Sequence, residues 1–270
     1  MKFVGGKRRL LPDLYVRLPL DAERRLYVEP FVGGGSLFFA LKPNRAVLGD
    51  LNSALIQTYQ EIRYQPEDLI DVLRGLEPVH SLELYTLIRK LYNRRLDFPS
   101  PLVAAWFIYL NKTCFNGLYR ENSKGEFNVP IGSYKAPKIC DAAALRVASV
   151  IMRSCDLQFL ARDFAETCAL VMPEASKAFV YFDSPYAPLS STSDFTAYTS
   201  AGFDEADQIR LRDMFATLDS AGAKCMLSNS DVPLIRDLYA RYRIDSVAAP
   251  RSISAKGART AVQEVIIRNY

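Results

Sequence analysis

Apolar residues along this chain gather into short runs at 26–31, 46–48, 157–160, 179–182, 224–227 and 262–267. Runs this short and this apolar predict strands that are covered on both faces, the habit of a parallel sheet between helices. Helix-length amphipathic stretches separate several of them, over 52–62 and 204–219, and a shorter helix-compatible segment covers 36–41. Alternation of this kind predicts an α/β domain with a largely parallel sheet. It stops between residues 63 and 157. That interval carries predicted helices at 67–76, 81–96 and 101–110, then a stretch over 112–138 rich in Asn, Gly, Lys and Tyr. So long a departure predicts an inserted substrate-reading domain rather than one loop. The expected organisation is residues 1–62 and 157–270 as the α/β domain, closing around a second unit at 63–156.

Composition narrows the classes. With 49% hydrophobic and 24% charged residues in 270, a core is available without disulfides or metals. Cys114, Cys140, Cys155, Cys168 and Cys225 lack the close pairing of a metal site and are expected to be reduced thiols. The single histidine, His80, follows Glu77-Pro78-Val79 with no evident partner, which argues against histidine catalysis and histidine-rich metal sites. No segment approaches the ~20 apolar residues of a membrane span, and the N-terminus lacks an apolar signal core. The expectation is a cytoplasmic protein with no membrane and no metal. A net charge of +4 decides little. Its clustering says more: Lys7, Arg8 and Arg9; Arg89, Lys90, Arg94 and Arg95; and Lys112, Arg120, Lys124, Lys135 and Lys138 flank polar turns. Each group alone reads as a solvated helix face; together they lean toward a polyanion.

Candidate chemistry collects at strand ends. Asp183-Ser184-Pro185-Tyr186 ends the apolar run 178–182 with a carboxylate, a stiff turn and an aromatic face, suited to gripping a flat nitrogenous base by edge and face. Upstream, Phe31 leads into Gly33, Gly34 and Gly35, where missing β-carbons allow a tight turn and close approach to a ligand. Asp50 ends the next strand, where doubly wound folds keep an acid for ribose hydroxyls. Asp163-Phe164 after 157–160 reads either as a carboxylate and ring for an adenine or as a helix cap for Ala165 onward. Gly5-Gly6-Lys7-Arg8 lacks the spacing of a phosphate loop, and the glycine triplet lacks the third glycine of an NAD turn. A nucleoside-type cofactor without pyrophosphate fits better.

Phe31-Val32-Gly33-Gly34-Gly35, Asp50 and Asp183-Ser184-Pro185-Tyr186 resemble, in that order, the methionine-binding, ribose-binding and catalytic motifs of DNA amino-methyltransferases. Asn116-Gly117-Leu118-Tyr119-Arg120, Gly125-Glu126-Phe127-Asn128-Val129-Pro130, Ala187-Pro188-Leu189-Ser190 and Phe195-Thr196-Ala197-Tyr198 are similar to the Dam-type DNA adenine-N6 methyltransferase family. The resemblance runs from Lys2 to the C-terminus. It implies a Rossmann-like class I methyltransferase fold with an inserted helical plus β-hairpin DNA-recognition domain. It also implies S-adenosylmethionine as donor and an adenine in double-stranded DNA, within GATC, as acceptor, flipped out of the helix for reaction. Catalysis falls to Asp183, Ser184, Pro185 and Tyr186, and cofactor binding to Lys7, Phe31, Gly33, Gly35, Asp50, Asp163, Phe164 and Asp183.

On the DNA side the resemblance assigns a hairpin around 115–120 to the major groove. Arg120 reads guanine, Leu118 and Pro130 meet thymine methyls, Phe115 wedges into the flipping gap and Asn116 faces the orphaned base. Lys2 contacts an outer guanine; Lys112, Asn122 and Asn128 touch phosphates. A basic loop at 251–257 is a further candidate for the DNA backbone. Two departures stand out: Ser184 where the pattern usually has Pro, and Ser133 where relatives often have Arg. They keep alive a catalytically impaired DNA-binding homologue and an adenine methyltransferase of altered specificity. RNA or small-molecule methylation and an NAD enzyme are weaker rivals. A cognate restriction endonuclease and a nucleoid setting in a bacterial or phage-infected cell complete the expectations.

Overall fold

A computed structural model describes residues 9–94, 100–188, 202–249 and 262–270. Its sheet contains β1 (Leu26–Glu29), β2 (Arg45–Gly49), β3 (Asp156–Leu160), β4 (Ala178–Phe182), β5 (Lys224–Ser230), β6 (Arg243–Ala249) and β7 (Val262–Arg268), in the order β3-β2-β1-β4-β5-β7-β6. The first five strands are parallel, and β7 runs antiparallel to both its neighbours. The helices are α1 (Leu11–Tyr15), α2 (Ser36–Leu41), α3 (Ser53–Tyr64), α4 (Pro66–Leu76), α5 (Leu82–Asn93), α6 (Pro101–Thr113), α7 (Ala142–Arg153), α8 (Phe164–Val171), α9 (Glu205–Ser220) and α10 (Pro233–Leu238). This is the expected α/β class.

Strand alternation sorts the core into two layers. Tyr27, Phe179, Tyr181, Met226 and Ile266 face a cluster that includes Leu37, Leu55, Tyr59 and Ile62. Val28, Val180, Phe182, Leu227 and Ile267 face the other way, onto Phe164, Cys168, Phe215, Leu218 and Tyr239. Every residue of β1 and β4 is buried, which is why both read as continuous apolar runs. The first cluster continues without a break into Leu69, Tyr85, Phe107 and Met152 of the inserted helices.

Local chemistry explains the helix starts. Asn52, Ser81, Ser100, Asp141 and Asp163 each accept a backbone N–H as N-caps, and Asp204 with Asp207 forms a full capping box. The short helices α1 and α10, the strand β6 and the helix α7 were not expected. β6 is an edge strand whose Asp245 pairs with Arg17 and Arg268, so its sequence carries charge where the other strands carry apolar side chains. α7 follows Asp141, beyond the loop-rich stretch 112–138, where no helix was predicted. His80 does have a partner: its Nδ1 lies 2.7 Å from the Tyr109 hydroxyl. The five cysteines are free, as expected. No helix among the described residues is long and apolar enough to cross a membrane.

Phe179 is fully buried and its ring lies 5.8 Å from that of Tyr27 across the β1–β4 pair. Phe179→Ala should therefore lower stability by about 3–5 kcal/mol, read as a reduced urea midpoint with an unchanged slope.

Candidate active site at the carboxyl edge of the sheet

Chain order reverses between β1 and β4: β2 and β3 lie on one side, β4 and β5 on the other. The carboxyl edge at such a switch point forms a crevice. Beside it, β1 runs into the glycine turn. Val32 N–H donates to Gly49 O at 2.8 Å and Gly35 N–H to Val32 O at 2.6 Å. Gly33 and Gly35 have φ of 43° and 62°, in the left-handed region. A β-carbon at Gly35 would stand 3.1 Å from Phe39 Cε2 and 3.2 Å from Tyr59 Oη. The turn is tied to Asp50, whose Oδ2 accepts from Gly33 N–H at 3.0 Å and Oδ1 from Asn52 N–H at 2.9 Å. Burial raises the Asp50 pKa, and those two N–H bonds hold it back. Tyr59 Oη closes the arrangement by donating to Gly33 O at 2.8 Å.

An aromatic wall lies next to the turn. The Phe31 ring stacks on Phe164 with centroids 5.2 Å apart, and Phe203 meets Phe31 edge-on at 5.9 Å. Asp163 caps α8 through Ala165 N–H at 2.9 Å and also pairs with Arg210 at 3.0 Å. The Arg210 guanidinium lies 5.0 Å from the Phe164 ring centre.

The acidic tip after β4 is braced from β5, β7 and α9. Ser228 Oγ donates to Asp183 Oδ1 at 3.2 Å and lies 3.0 Å from the Tyr181 hydroxyl. Gln208 Nε2 donates to Pro185 O at 3.0 Å. Asn229 donates to Gln208 Oε1 at 3.2 Å while its own Oδ1 accepts from Ala187 N–H at 2.9 Å. Gln208 and Asn229 are both buried, so this clamp works where hydrogen bonds are not competed away by water. The Tyr186 hydroxyl donates to Glu264 Oε2 at 3.0 Å. Ser184 is buried, and its Oγ has no hydrogen-bond partner among the described residues.

Residues 3–253 match the D12 class N6 adenine-specific DNA methyltransferase family. The chain belongs to that family. Type II methyltransferase M1.LlaDCHI of Lactococcus lactis subsp. cremoris is 42% identical over all of this chain and 94% of its own length. Type II methyltransferase M.MjaIII of Methanocaldococcus jannaschii is 38% identical over 100% of this chain and 98% of its own. A DNA adenine methylase of Vibrio cholerae is 37% identical over 98% of this chain and 94% of its own. This D12 methyltransferase is thus an enzyme that takes a methyl group from a donor and places it on adenine in DNA. Its sheet is that of a Rossmann-like methyltransferase. No group of three or more His, Cys, Asp or Glu among the described residues could hold a metal ion.

The inserted hairpin of the methyltransferase is held at its stem and open at its rim. Antiparallel bridges join Cys114 to Ile131 and Glu121 to Phe127. Asn93 in α5 accepts from Phe127 N–H at 2.9 Å and donates to Phe127 O at 3.0 Å, and the Tyr85 hydroxyl donates to Val129 O at 2.8 Å. Tyr92, Phe107, Tyr119 and Phe127 pack beneath it with neighbouring centroids 5.1–6.4 Å apart. Phe115 is 51% exposed, and Asn116 beside it has φ of 54°, the left-handed region a side chain rarely adopts. Residues 115–117 thus form a tight 3-10 turn rather than strand. Arg120 is exposed, with Nε donating to Asn128 Oδ1 at 2.9 Å. Pro130 is exposed and Leu118 partly buried. Asn122 bonds Lys124 N–H, Glu126 N–H and the Glu126 carboxylate, closing the hairpin turn. Lys112 donates to Lys138 O at 3.1 Å, and burial lowers its pKa.

The structure therefore brings Phe31, Gly33, Gly35, Asp50, Asp163, Phe164, Asp183, Ser184, Pro185 and Tyr186 to one edge, and Phe115, Asn116, Leu118, Arg120, Asn122, Asn128 and Pro130 to one hairpin. Lys2 and Lys7, the 195–198 string and the 251–257 loop lie outside the described residues. Sequence reasoning missed Tyr59, Gln208, Arg210 and Glu264. The polar run 228–230, following directly on the apolar run 224–227, was the usable signal for Ser228 and Asn229.

Glu29 completes the edge. It is 2% exposed, accepts from Tyr27 Oη at 2.9 Å, and burial followed by the Asp183 and Asp50 charges raises its pKa against the pull of that bond. With the folded value above the unfolded one of about 4.3, Glu29 contributes stability that is complete below the unfolded value and is lost as pH rises through the folded one. Glu29→Gln should raise Tm at pH about 8 and lose that advantage near pH about 4. Melting curves across that range check it, and an advantage that ignores pH would count against an ionising carboxylate here.

Proposed function

We propose that the enzyme transfers a methyl group from S-adenosylmethionine to the exocyclic amine of an adenine flipped out of double-stranded DNA, within GATC. The observation that carries this reading is the braced tip at the sheet's switch point: Asp183 held by Ser228, with Pro185 and Ala187 clamped by Gln208 and Asn229. One strand away, the residues suit a nucleoside cofactor. The left-handed glycines turn the chain tightly, with Gly35 leaving no room for a β-carbon against Phe39 and Tyr59; Asp50 offers a carboxylate for ribose hydroxyls, and Phe31 with Phe164 offers a wall for an adenine. Asp163 keeps its cap and still stands beside that wall. Lys7 joins this set by resemblance.

When bound, S-adenosylmethionine would supply an activated methyl group, the sulfonium sulfur keeping the C–S bonding pair as a neutral thioether. The protein prepares the acceptor. An adenine amine is a poor nucleophile because its lone pair is delocalised into the ring. Asp183 and the Ser184 carbonyl accept its two hydrogens, which favours a pyramidal nitrogen with an available lone pair; Tyr186 stacks on the base. Once the N6–methyl bond forms, N6 carries positive charge and gives up one proton along its bond to Asp183. Positioning and electrostatics do the rest. The clamp supports an active enzyme despite Ser184, because Gln208 and Asn229 restrain the turn that a proline would otherwise stiffen.

Division of labour follows the chain: 1–62 with 157–270 for transfer, 63–156 for recognition. Arg120, aligned by Asn128, reads guanine; Leu118 and Pro130 meet thymine methyls; Phe115 and Asn116 fill the gap left by flipping. Lys2, Lys112, Asn122 and Asn128 serve the backbone or outer base. Two relatives carry the name Type II methyltransferase, which fits a cognate restriction endonuclease; a place in the cytoplasm on the nucleoid belongs to the same reading.

The deciding experiment is transfer of labelled methyl to a duplex with one GATC, against a matched duplex lacking that adenine. Label should enter the first alone; label in both, or faster transfer to any single-base variant, would overturn the acceptor or the site. Asp183→Ala should lower kcat by about 10²–10³-fold with DNA affinity retained in a filter-binding assay. Arg120→Ala should cost about 1–3 kcal/mol of discrimination at the guanine it reads, measured as the kcat/KM ratio between GATC and its substituted variants.

A further inference from the structure

The strand that runs against the rest of the sheet brings a carboxylate to the site. We infer that Glu264 is a positioning residue for methyl transfer, holding the Tyr186 ring in its stacking orientation and making that ring electron-rich as positive charge reaches the adenine amine. The inference rests on the stacking role proposed above for Tyr186.

Strand direction is the first support. Because β7 is antiparallel, its beginning rather than its end lies at the carboxyl edge, where Glu264 pairs with Ser230 of β5 and Val247 of β6. Register is the second. Tyr27, Glu29, Tyr181, Ser228, Ser230 and Glu264 all fall on one face by alternation from the paired residues, while Val28, Val180, Leu227 and Val265 fall on the other. A polar strip thus crosses four strands along the crevice, with Glu264 at its far end from Glu29.

The third support is the bond itself. Tyr186 is flanked by two backbone ties, Pro185 O through Gln208 and Ala187 N–H through Asn229, and its own hydroxyl is held by Glu264 at 3.0 Å beside the Ser228 hydroxyl. The first two fix the backbone on either side, and the bond to Glu264 is the one that joins the ring to β7. A ring held before the base arrives loses no rotamer freedom on stacking. A phenol donating to a carboxylate also has a more negative face than phenylalanine, and such a face attracts the charge that develops on N6. Burial, with Asp183 and Glu264 adding, keeps the Tyr186 hydroxyl well above the usual tyrosine range, so it stays a donor.

The test is a cycle of wild type, Glu264→Gln, Tyr186→Phe and the double variant in the full enzyme. The readouts are kcat and KM for methyl transfer, and the fluorescence of 2-aminopurine at the target adenine. Each single variant should lose about tenfold in kcat with KM for S-adenosylmethionine unchanged, and the double should be no slower than either single. The single variants should also leave the flipped 2-aminopurine brighter, as expected of a less firmly stacked base. If Glu264→Gln keeps its full effect in the Tyr186→Phe background, the residue acts through something other than the hydroxyl and the inference fails. Tyr186→Phe turning over at the wild-type rate also sinks it, whether or not the Glu264 variant folds. Tyr186→Ala separates the two levels. If it changes neither kcat nor fluorescence, the stacking reading itself is wrong; if it impairs both while the Phe and Gln variants do not, only the Glu264 inference falls.

Discussion

Everything at the carboxyl edge depends on the parity of a sheet buried on both faces. With apolar layers on either side, a slip of one residue in any strand would turn its core side chains to the wrong face. Burial therefore fixes which residue of each strand ends where. Asp183 follows directly on β4, Asp50 on β2, and Glu29 ends β1 itself. The positions of these acids are thus set by the packing of Val28, Val180 and Phe182 behind them more than by contacts among the acids. The acids would repel one another if all were ionised. The folded enzyme absorbs this by burying Glu29 under a tyrosine hydroxyl and by giving Asp50 two backbone donors.

Much of this was readable from residue order because parallel strands write their burial as unbroken apolar runs. Strands at 26–31, 179–182 and 224–227 emerged from that pattern alone, and so did the glycine turn and the acids that follow the strands. β6 escaped because an edge strand needs no second apolar face, and its Asp245 is satisfied by arginines distant in sequence, Arg17 and Arg268. The clamp escaped for a related reason. Gln208 sits in a helix 23 residues beyond Pro185, and its task exists only once α9 packs beside the tip. Asp163 shows the limit of a single residue's signal, since the same carboxylate caps a helix, pairs with Arg210 and borders the aromatic wall.

The inserted unit follows a different logic. Its hairpin has few ladder bonds of its own and would be marginal alone. Stability comes from beneath, where Tyr92, Phe107, Tyr119 and Phe127 interlock and Asn93 imitates a neighbouring strand for Phe127. The rim is relieved of structural duty. Phe115, Arg120 and Pro130 are exposed at the rim, outside the aromatic packing that holds the stem.

The pairing of β1 with β4 has a consequence for the birth of the molecule. Leu26 meets Ala178 roughly 150 residues later in the chain, a separation that makes the central pair slow to close compared with local contacts. During synthesis β1 and β2 emerge early with one long apolar edge still uncovered, and the helices of the insertion appear before the strand that will cover it. Because those helices share the core of the first sheet face, they are available to shelter that face while the ribosome is still making β4.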